Sequence, residues 1–333
     1  MGTYRLNSVL FDELIVAGIS ASAPGKAILF GEHAVVYGQP AIAVPLPQLR
    51  SHAYITADPL GSADDIFFSA PDINLHQRYR NLPDGHPFRA IIDILKGHFG
   101  ITHLPAMHIK ITSSIPVASG LGSGTSVSVT MFKGISEFIG HPLSEHEISS
   151  YTFEIEKIYH GHPSGIDNTV IAYQKPIFFT REHPIELLSI NFDFSMLLVD
   201  SGIRSHTADV VNDVRKNWLH SKEEFEEYFS AIGDITKKAR TALSTGNLTE
   251  LGALMVENHR LLKILDVSHE FIDRIVGTAV RAGAYGAKLS GAGRGGYVIC
   301  LVDQNNLSKM KDKLSAAGFS KTIDCLISGA TQG

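Results

Sequence analysis

The chain has 333 residues, of which 44% are hydrophobic and 19% are charged, so about two globular domains with sizeable cores are expected. Its formal net charge of −5 argues against a nucleic-acid or anionic-membrane binder, because such proteins carry a basic surface. No apolar run reaches the roughly 18 residues of a membrane span, and the first residues lack the basic start of a secretory signal, so we expect a cytoplasmic protein.

The first half of the chain alternates predicted strands and helices. Runs rich in β-branched and aromatic residues predict strands at 26–30, 52–58, 65–69 and 107–113. Apolar residues that recur with the helical period predict helices at 87–99, 123–138 and 144–159. Ser144 followed by Glu147 forms a capping box, which marks the start of the third helix.

The segment SAPGKAILFGEHAVVYG, residues 22–38, contains two groups of charged or titratable side chains. Lys26 follows a Pro-Gly turn, and Glu32 and His33 follow Gly31. Taken alone, Lys26 is more typical of a solvated surface lysine than of a functional group.

The segment PVASGLGSGTSV, residues 116–127, joins the strand at 107–113 to the helix at 123–138. Unpaired N–H groups and the positive end of the dipole attract anions to a helix N-terminus, and glycine lets a phosphate approach the backbone. No lysine follows the glycines as in a Walker A loop, and Thr125 stands where a dinucleotide fingerprint has its third glycine. The segment alone is compatible with a phosphate loop or with a helix cap in a tight turn.

The segment EKIYHGHPSGIDN, residues 156–168, follows the capping-box helix. Glu156 is predicted near the end of that helix, and Asp167 in the loop that follows it. By themselves, Glu156 is most simply a solvated helix-face charge and Asp167 part of a turn.

The second half begins near residue 185, where the character of the sequence changes. We expect a strand at FSMLLVD, mostly helical sequence over 205–282, and then strands at 286–289, 296–302 and 321–327 around a helix at 305–317. This pattern predicts an α+β protein with domains at 1–185 and 186–333. Cys300 and Cys325 lie in apolar runs and are predicted to be buried free thiols.

Together, four segments resemble the GHMP kinase superfamily and, within it, the mevalonate kinases. They are PGKAILFGEHAVVYG, PVASGLGSGTS, HGHPSGIDN and KLSGAGRGG, in the family's order, and ENHRLLKILDVSHEFIDRIV at 257–276 is also similar. The resemblance spans about residues 20–302. It implies an N-terminal domain like domain 2 of ribosomal protein S5, a C-terminal ferredoxin-like domain, and an active site between them.

The resemblance also implies a reaction, the transfer of the ATP γ-phosphoryl group to the 5-hydroxyl of mevalonate with Mg²⁺. In the matching positions, Asp167 and Lys26 would be catalytic, and Glu156 with Ser123 would hold the metal. Glu32, His33 and Ser164 would contact mevalonate. ATP would be bound by the residues of the glycine-rich loop: Pro116, Gly120, Leu121, Gly122, Ser123, Gly124 and Thr125. Glycines 293, 295 and 296 would support that loop, and we expect a homodimer.

Two positions depart from the family's pattern. Gly124 replaces a serine that contributes to magnesium or phosphate binding, and Arg294 replaces a glycine. We expect Arg294 to adopt an ordinary negative φ, because its Cβ disfavours positive φ, and to direct its side chain toward solvent or the cleft. Two other functions remain open: a sibling kinase such as a phosphomevalonate kinase, and a ligand sensor that binds ATP without turnover.

Overall fold

The structure, a computed structural model, describes residues 18–160, 163–181 and 183–329. In chain order the strands are β1 Gly18–Phe30, β2 Ala41–Ala57, β3 Ile66–Ala70, β4 Leu75–Arg78, β5 Met107–Ser113, β6 Ile177–Phe179, β7 Glu186–Leu187, β8 Phe194–Asp200, β9 Gly286–Leu289, β10 Tyr297–Val302 and β11 Thr322–Ile327. The α-helices are α1 Pro87–Phe99, α2 Ser123–Phe138, α3 Glu145–His160, α4 Ile166–Tyr173, α5 Thr207–His220, α6 Lys222–Thr245, α7 Leu248–Ile264, α8 Glu270–Ala282 and α9 Leu307–Ala316.

A mixed sheet in the first half is built around β2, which has 17 residues. The strand order is β4-β3-β5-β2-β6-β7, and β1 also pairs with β2. Only the pairing of β3 with β5 is parallel. Because β2 is long, β6 and β5 pair with different parts of it, at residues 41–43 and 51–57.

The end of β1 and the start of β2 are buried on both faces, whereas β5 buries only alternate residues. Helices α1 to α4 contribute one core with the inward residues of the sheet, including Ile28. Ala27 and Leu29, the neighbours of Ile28 on β1, belong to a second core that is shared with the C-terminal half. Successive side chains of a strand point to opposite faces, so neighbouring residues of β1 belong to different cores. Strand β1 therefore lies between the two cores.

The second half forms an antiparallel sheet with the order β11-β8-β10-β9. The hydrophobic residues of α5 to α9 cover it within the second core. Both cysteines, Cys300 and Cys325, are free and buried, as predicted. The last strand of the first sheet ends at Leu187 and β8 of the second sheet begins at Phe194. The domain boundary near residue 185 stays a prediction.

Several predicted elements are confirmed, and two strands are longer than predicted. The capping box forms at α3, where Glu147 Oε2 accepts from the Ser144 backbone N–H at 2.8 Å. Strands β1 and β2, however, begin well before residues 26 and 52. Both strands contain prolines, which are unusual inside a sheet. The register of the β1–β2 pairing shifts between Pro24 and Gly25, and this irregularity accommodates the prolines. Within the described ranges, no helix is long and apolar enough to cross a membrane.

A close contact between α7 and β9 leads to a stability prediction. A Cβ on Gly286 would lie 2.0 Å from the Gly252 carbonyl oxygen, a distance that only a backbone shift can relieve. We expect Gly286→Ala to lower the free energy of unfolding by about 1–3 kcal/mol or more, measured by urea denaturation.

The matched control is Gly97→Ala. Gly97 lies in α1, with nothing within 4 Å of an added Cβ. Alanine is the better helix former, so this variant should gain roughly 0.5–1 kcal/mol. Equal stability of the two variants would contradict the close approach of α7 and β9.

Candidate active site

The glycine-rich segment leads into α2, whose first turn is not capped by a side chain. The N-cap residue is Gly122, with φ 77°, and it offers no side-chain acceptor to the first N–H groups. By contrast, the N-cap side chains of α1, α7 and α8 each accept a backbone N–H; they are His86, Asn247 and His269. Because the first N–H groups of a helix lack internal partners, the N-terminus of α2 is suited to bind a phosphate.

The loop lies directly against β1. The Lys26 backbone N–H donates to the Leu121 carbonyl oxygen at 3.0 Å. A Cβ on Gly122 would be 3.1 Å from Cγ of Lys26 and 2.8 Å from Cδ1 of Ile171, and its φ is positive. Glycine at 122 therefore brings the loop and Lys26 together.

The hydroxyl groups of the loop have separate partners. Ser119 Oγ donates to the Pro116 carbonyl oxygen at 2.6 Å, which closes the turn before the helix. Ser126 is fully buried and donates to the Ala23 carbonyl oxygen at 2.9 Å. These two hydroxyls stabilise the loop itself.

Lys26 is bonded to Asp167. The distance from Lys26 Nζ to Asp167 Oδ2 is 3.0 Å; the lysine side chain is 5% exposed and the aspartate side chain 29%. Lys26 is therefore buried, unlike an ordinary surface lysine. The prediction of a loop at Asp167 was wrong, because α4 begins at Ile166 and Asp167 lies in its first turn. There the positive end of the helix dipole stabilises the carboxylate.

Glu156 lies beside this pair on α3 and is buried. Its Oε1 accepts a hydrogen bond from Thr125 Oγ1 at 2.7 Å. Burial, and then the negative charge of Asp167, raise the pKa of Glu156 to about 7. Two carboxylates close enough to repel each other are suited to a cation. Ser123, also predicted near the metal, donates to the Ile115 carbonyl oxygen, at 3.5 Å.

The donor set is small for a metal site. Among the residues that the structure describes, no group of three or more His, Cys, Asp or Glu could hold a metal ion. Mg²⁺ is usually held by one or two carboxylates together with substrate phosphates and water. Glu156 beside the phosphate loop fits Mg²⁺ in that form.

The segment KLSGAGRGG, residues 288–296, contacts the glycine-rich loop before α2. A Cβ on Gly296 would lie 3.1 Å from the Ser119 carbonyl oxygen, and one on Gly291 would lie 3.8 Å from Gly120 Cα. Ser290 Oγ donates to the Ile28 carbonyl oxygen of β1 at 3.3 Å. The C-terminal half thus supports the loop and β1 from one side.

Comparisons with known proteins agree with this arrangement. Residues 86–175 match the model of the GHMP kinases N terminal domain, and residues 239–320 that of the GHMP kinases C terminal domain. A mevalonate kinase of Thermococcus onnurineus is 33% identical, with 92% of this chain and 95% of the relative covered. The chain belongs to the mevalonate kinase family. It is an enzyme, a kinase with the two-domain GHMP fold.

Solved structures of other kinases share this fold. A mevalonate kinase of L. major in complex with R-mevalonate superposes with a TM-score of 0.80 at 28% identity, covering 93% of this chain and 96% of that one. A phosphomevalonate kinase of Streptococcus pneumoniae superposes with a TM-score of 0.78 but is 17% identical, covering 92% and 99%. The second comparison supports the fold alone.

The backbone conformation of Arg294 differs from the prediction. Its φ is 53°, not negative, and its backbone N–H donates to the Val267 carbonyl oxygen at 2.7 Å. The guanidinium leaves the loop and binds the carboxylates of Asp213 and Asp266 at 2.7 and 2.8 Å. These bonds hold the residue in a conformation that arginine rarely adopts. The side chain therefore lies against α5 and the end of α7.

The three residues assigned to the acceptor have different surroundings. Glu32 is buried and paired with Lys288. His33 Nε2 lies 2.8 Å from the Ala292 carbonyl oxygen, and burial lowers the pKa of His33 to about 4. Ser164 Oγ accepts the Ile166 N–H at 3.4 Å, at the start of α4.

Lys288 was not identified from the sequence. It is the first residue of the segment KLSGAGRGG, and it lies between Ala287 and Leu289 in the strand predicted at 286–289. A lysine between apolar residues, beside a glycine loop, was the available signal of a buried charge.

Proposed function

We propose that the protein transfers the γ-phosphoryl group of ATP to the 5-hydroxyl of mevalonate. The observation that carries this proposal is the bonded pair of Lys26 and Asp167, placed against the uncapped N-terminus of α2. Phosphoryl transfer needs mainly positioning and charge stabilisation, and this arrangement offers both. Membership of the mevalonate kinase family supports mevalonate as the acceptor.

Asp167 is assigned to the acceptor hydroxyl. The attacking oxygen must lose its proton as it bonds to phosphorus, and a carboxylate can accept that proton. The side chain is partly exposed, so an acceptor can approach it. Lys26 orients the carboxylate and, as a buried cation, stabilises negative charge on the transferring group.

The nucleotide is assigned to the loop before α2. The N–H groups of residues 123–125 would bind phosphate oxygens at the positive end of the helix. Glu156, with the hydroxyl of Thr125 or Ser123 nearby, would hold Mg²⁺. When bound, Mg²⁺ would neutralise charge on the ATP phosphates.

The identity of the acceptor is tested by ATP consumption with mevalonate, phosphomevalonate, homoserine and galactose. We expect turnover with mevalonate and little with the others. A phosphorylated acceptor needs a free cation. The acceptor-side segments of the sequence offer few Lys or Arg residues beyond Arg204, and Arg204 is bonded through both terminal nitrogens to Asp200, at 2.8 and 3.0 Å. Faster turnover of phosphomevalonate would favour the sibling kinase, and ATP binding without any turnover would favour a sensor.

The metal assignment gives a separate prediction. We expect Glu156→Gln to raise the Mg²⁺ concentration for half-maximal rate about tenfold or more, because a charged ligand contributes roughly 1.5–3 kcal/mol. The matched variant Ser123→Ala should change it much less. The measurement is a Mg²⁺ titration of the rate, together with Mg²⁺-dependent ATP binding by calorimetry.

Gly124→Ser complements this test. An added Cβ would meet only the Tyr159 ring, at 3.9 Å, and φ is not positive, so serine fits. We expect unchanged activity or a lower Mg²⁺ requirement. Loss of activity in a folded Gly124→Ser variant would contradict the assignment of the metal to Glu156.

We also propose that the enzyme is a cytoplasmic homodimer. The net charge of −5, which argues against an anionic-membrane binder, is compatible with this location, and the family resemblance supports the assembly. Light scattering behind size exclusion measures the oligomeric state directly, and a monomer at micromolar concentration would contradict the dimer.

A further inference from the structure

Lys288 is a fully buried lysine on β9, an edge strand of the second sheet. Its side chain has no exposed surface, and it lies on β9 with Ala287 and Leu289 as neighbours. The ammonium group donates to a carboxylate oxygen of Glu32 and, at 2.7 Å, to the Leu289 carbonyl oxygen. A charge in such a place is costly unless it is paired, so the partner is essential to it.

The partner, Glu32, belongs to the other half of the chain, 256 residues away. The next residue, His33, is also held by the segment KLSGAGRGG, because His33 Nε2 lies 2.8 Å from the Ala292 carbonyl oxygen. His33 has φ 61°, which a residue with a Cβ keeps only where its surroundings impose it. Two contacts from one segment therefore fix two consecutive residues that we assign to the acceptor.

Glu32 retains capacity for one more hydrogen bond. Its second oxygen, Oε2, is buried and accepts no hydrogen bond from the described part of the chain. Buried polar atoms in native proteins usually have a partner, so an unpaired one beside a reaction site points to a ligand. The oxygen that Lys288 does not bind is thus left for the acceptor.

Lys288 is connected through Glu32 to the strand that carries Lys26. Lys288 is bonded to Glu32, Glu32 follows closely after the end of β1, and Lys26 on β1 is bonded to Asp167. These contacts join the C-terminal sheet to the first turn of α4. A displacement of Glu32 would therefore be felt at Lys26 and Asp167.

We infer that Lys288 is a positioning residue for phosphoryl transfer, which acts through Glu32 to hold the acceptor-side residues in register with Lys26 and Asp167. This inference rests on the proposed function of that site. A buried ion pair often stabilises a fold no more than apolar residues of similar volume would. A positioning role would explain why this site nevertheless contains the pair of Lys288 and Glu32.

The test is a double-mutant cycle with Lys288→Met, Glu32→Gln and the double variant. For each variant we would measure kcat, the acceptor KM, the ATP affinity by calorimetry and the unfolding midpoint. We expect Lys288→Met to lower kcat/KM for the acceptor about 10²-fold, because a small misplacement of the acceptor relative to the reacting groups has an effect of that size. The ATP affinity should be nearly unchanged. In the Glu32→Gln background the same change should have little further effect, because Lys288 acts through Glu32.

Two outcomes would overturn the inference. The first is a Lys288→Met variant that loses stability but keeps kcat and the acceptor KM, which would make the lysine purely structural. The second is a full additional loss in the Glu32→Gln background. The matched control is Lys263→Met, which removes a half-exposed lysine bonded to Asp273 and should change kcat less than about twofold.

If Lys288→Met does not fold, Lys288→Arg replaces it in the test. Arginine keeps a cation opposite Glu32 but presents a planar fork in place of a compact ammonium, so the carboxylate must move. We expect a loss of about tenfold in acceptor kcat/KM with the fold retained, and an unchanged kcat/KM would overturn the inference. The wild-type acceptor panel is measured first, so failure of the proposed function is seen there, independently of Lys288.

Discussion

Asp167→Asn is expected to lower turnover by about 10²–10⁴-fold while ATP still binds. The substitution keeps the size of the side chain but removes the carboxylate that lies 3.0 Å from Lys26 Nζ. The acceptor hydroxyl then loses the group that takes its proton, whereas the loop before α2 is unchanged. The measurements are kcat with mevalonate and the dissociation constant of ATP by calorimetry.

The matched control for this variant is Asp234→Asn. Asp234 is an exposed aspartate on α6, paired with Lys237 at 3.0 Å, and an exposed pair of this kind contributes little to stability. Turnover of the control should equal that of the wild type. Near-normal turnover of Asp167→Asn would refute the role of Asp167, and loss of ATP binding would show a structural role instead.

Lys26→Met should lower kcat by about 10²–10³-fold, the usual effect of removing one preorganised electrostatic group. The lysine is buried and balances the charge of Asp167, and the charge of Asp167 also acts on Glu156. Without the ammonium, the negative charge of the transferring phosphoryl group would face two carboxylates. The acceptor KM should change less than kcat, because the interaction is strongest in the transition state.

Lys237→Met is the control for Lys26→Met, because it removes an exposed lysine from an ion pair on the surface of α6. A Lys26→Met enzyme with normal kcat and a raised acceptor KM would reassign Lys26 to ground-state binding. The unfolding midpoint of each variant separates loss of chemistry from loss of fold.

Much of the local structure could be predicted because it depends on near neighbours in the chain. The capping box at Ser144 and the entry of the glycine-rich loop into α2 each need only a few consecutive residues. The start of helix α4 was not predicted, because a Ser-Gly-Ile-Asp run is equally typical of a turn. In the structure the helix follows Gly165, which has φ 92°. Its apolar residues pack in the core of the first half, and this packing favours the helix over a turn.

The sequence by itself determined the order and type of most elements, the entry of the glycine-rich loop into α2, and the family through its four motifs. Only the tertiary structure decided which charged and polar groups meet. Lys26 meets Asp167, Thr125 meets Glu156, and Lys288 meets Glu32 across 256 residues. It also decided the positive φ of Arg294, which bonds from Asp213 and Asp266 hold in place. The physical reason is that periodicity and capping act over one or two turns, whereas a buried charge is stabilised by whichever opposite charge the packed fold brings to it.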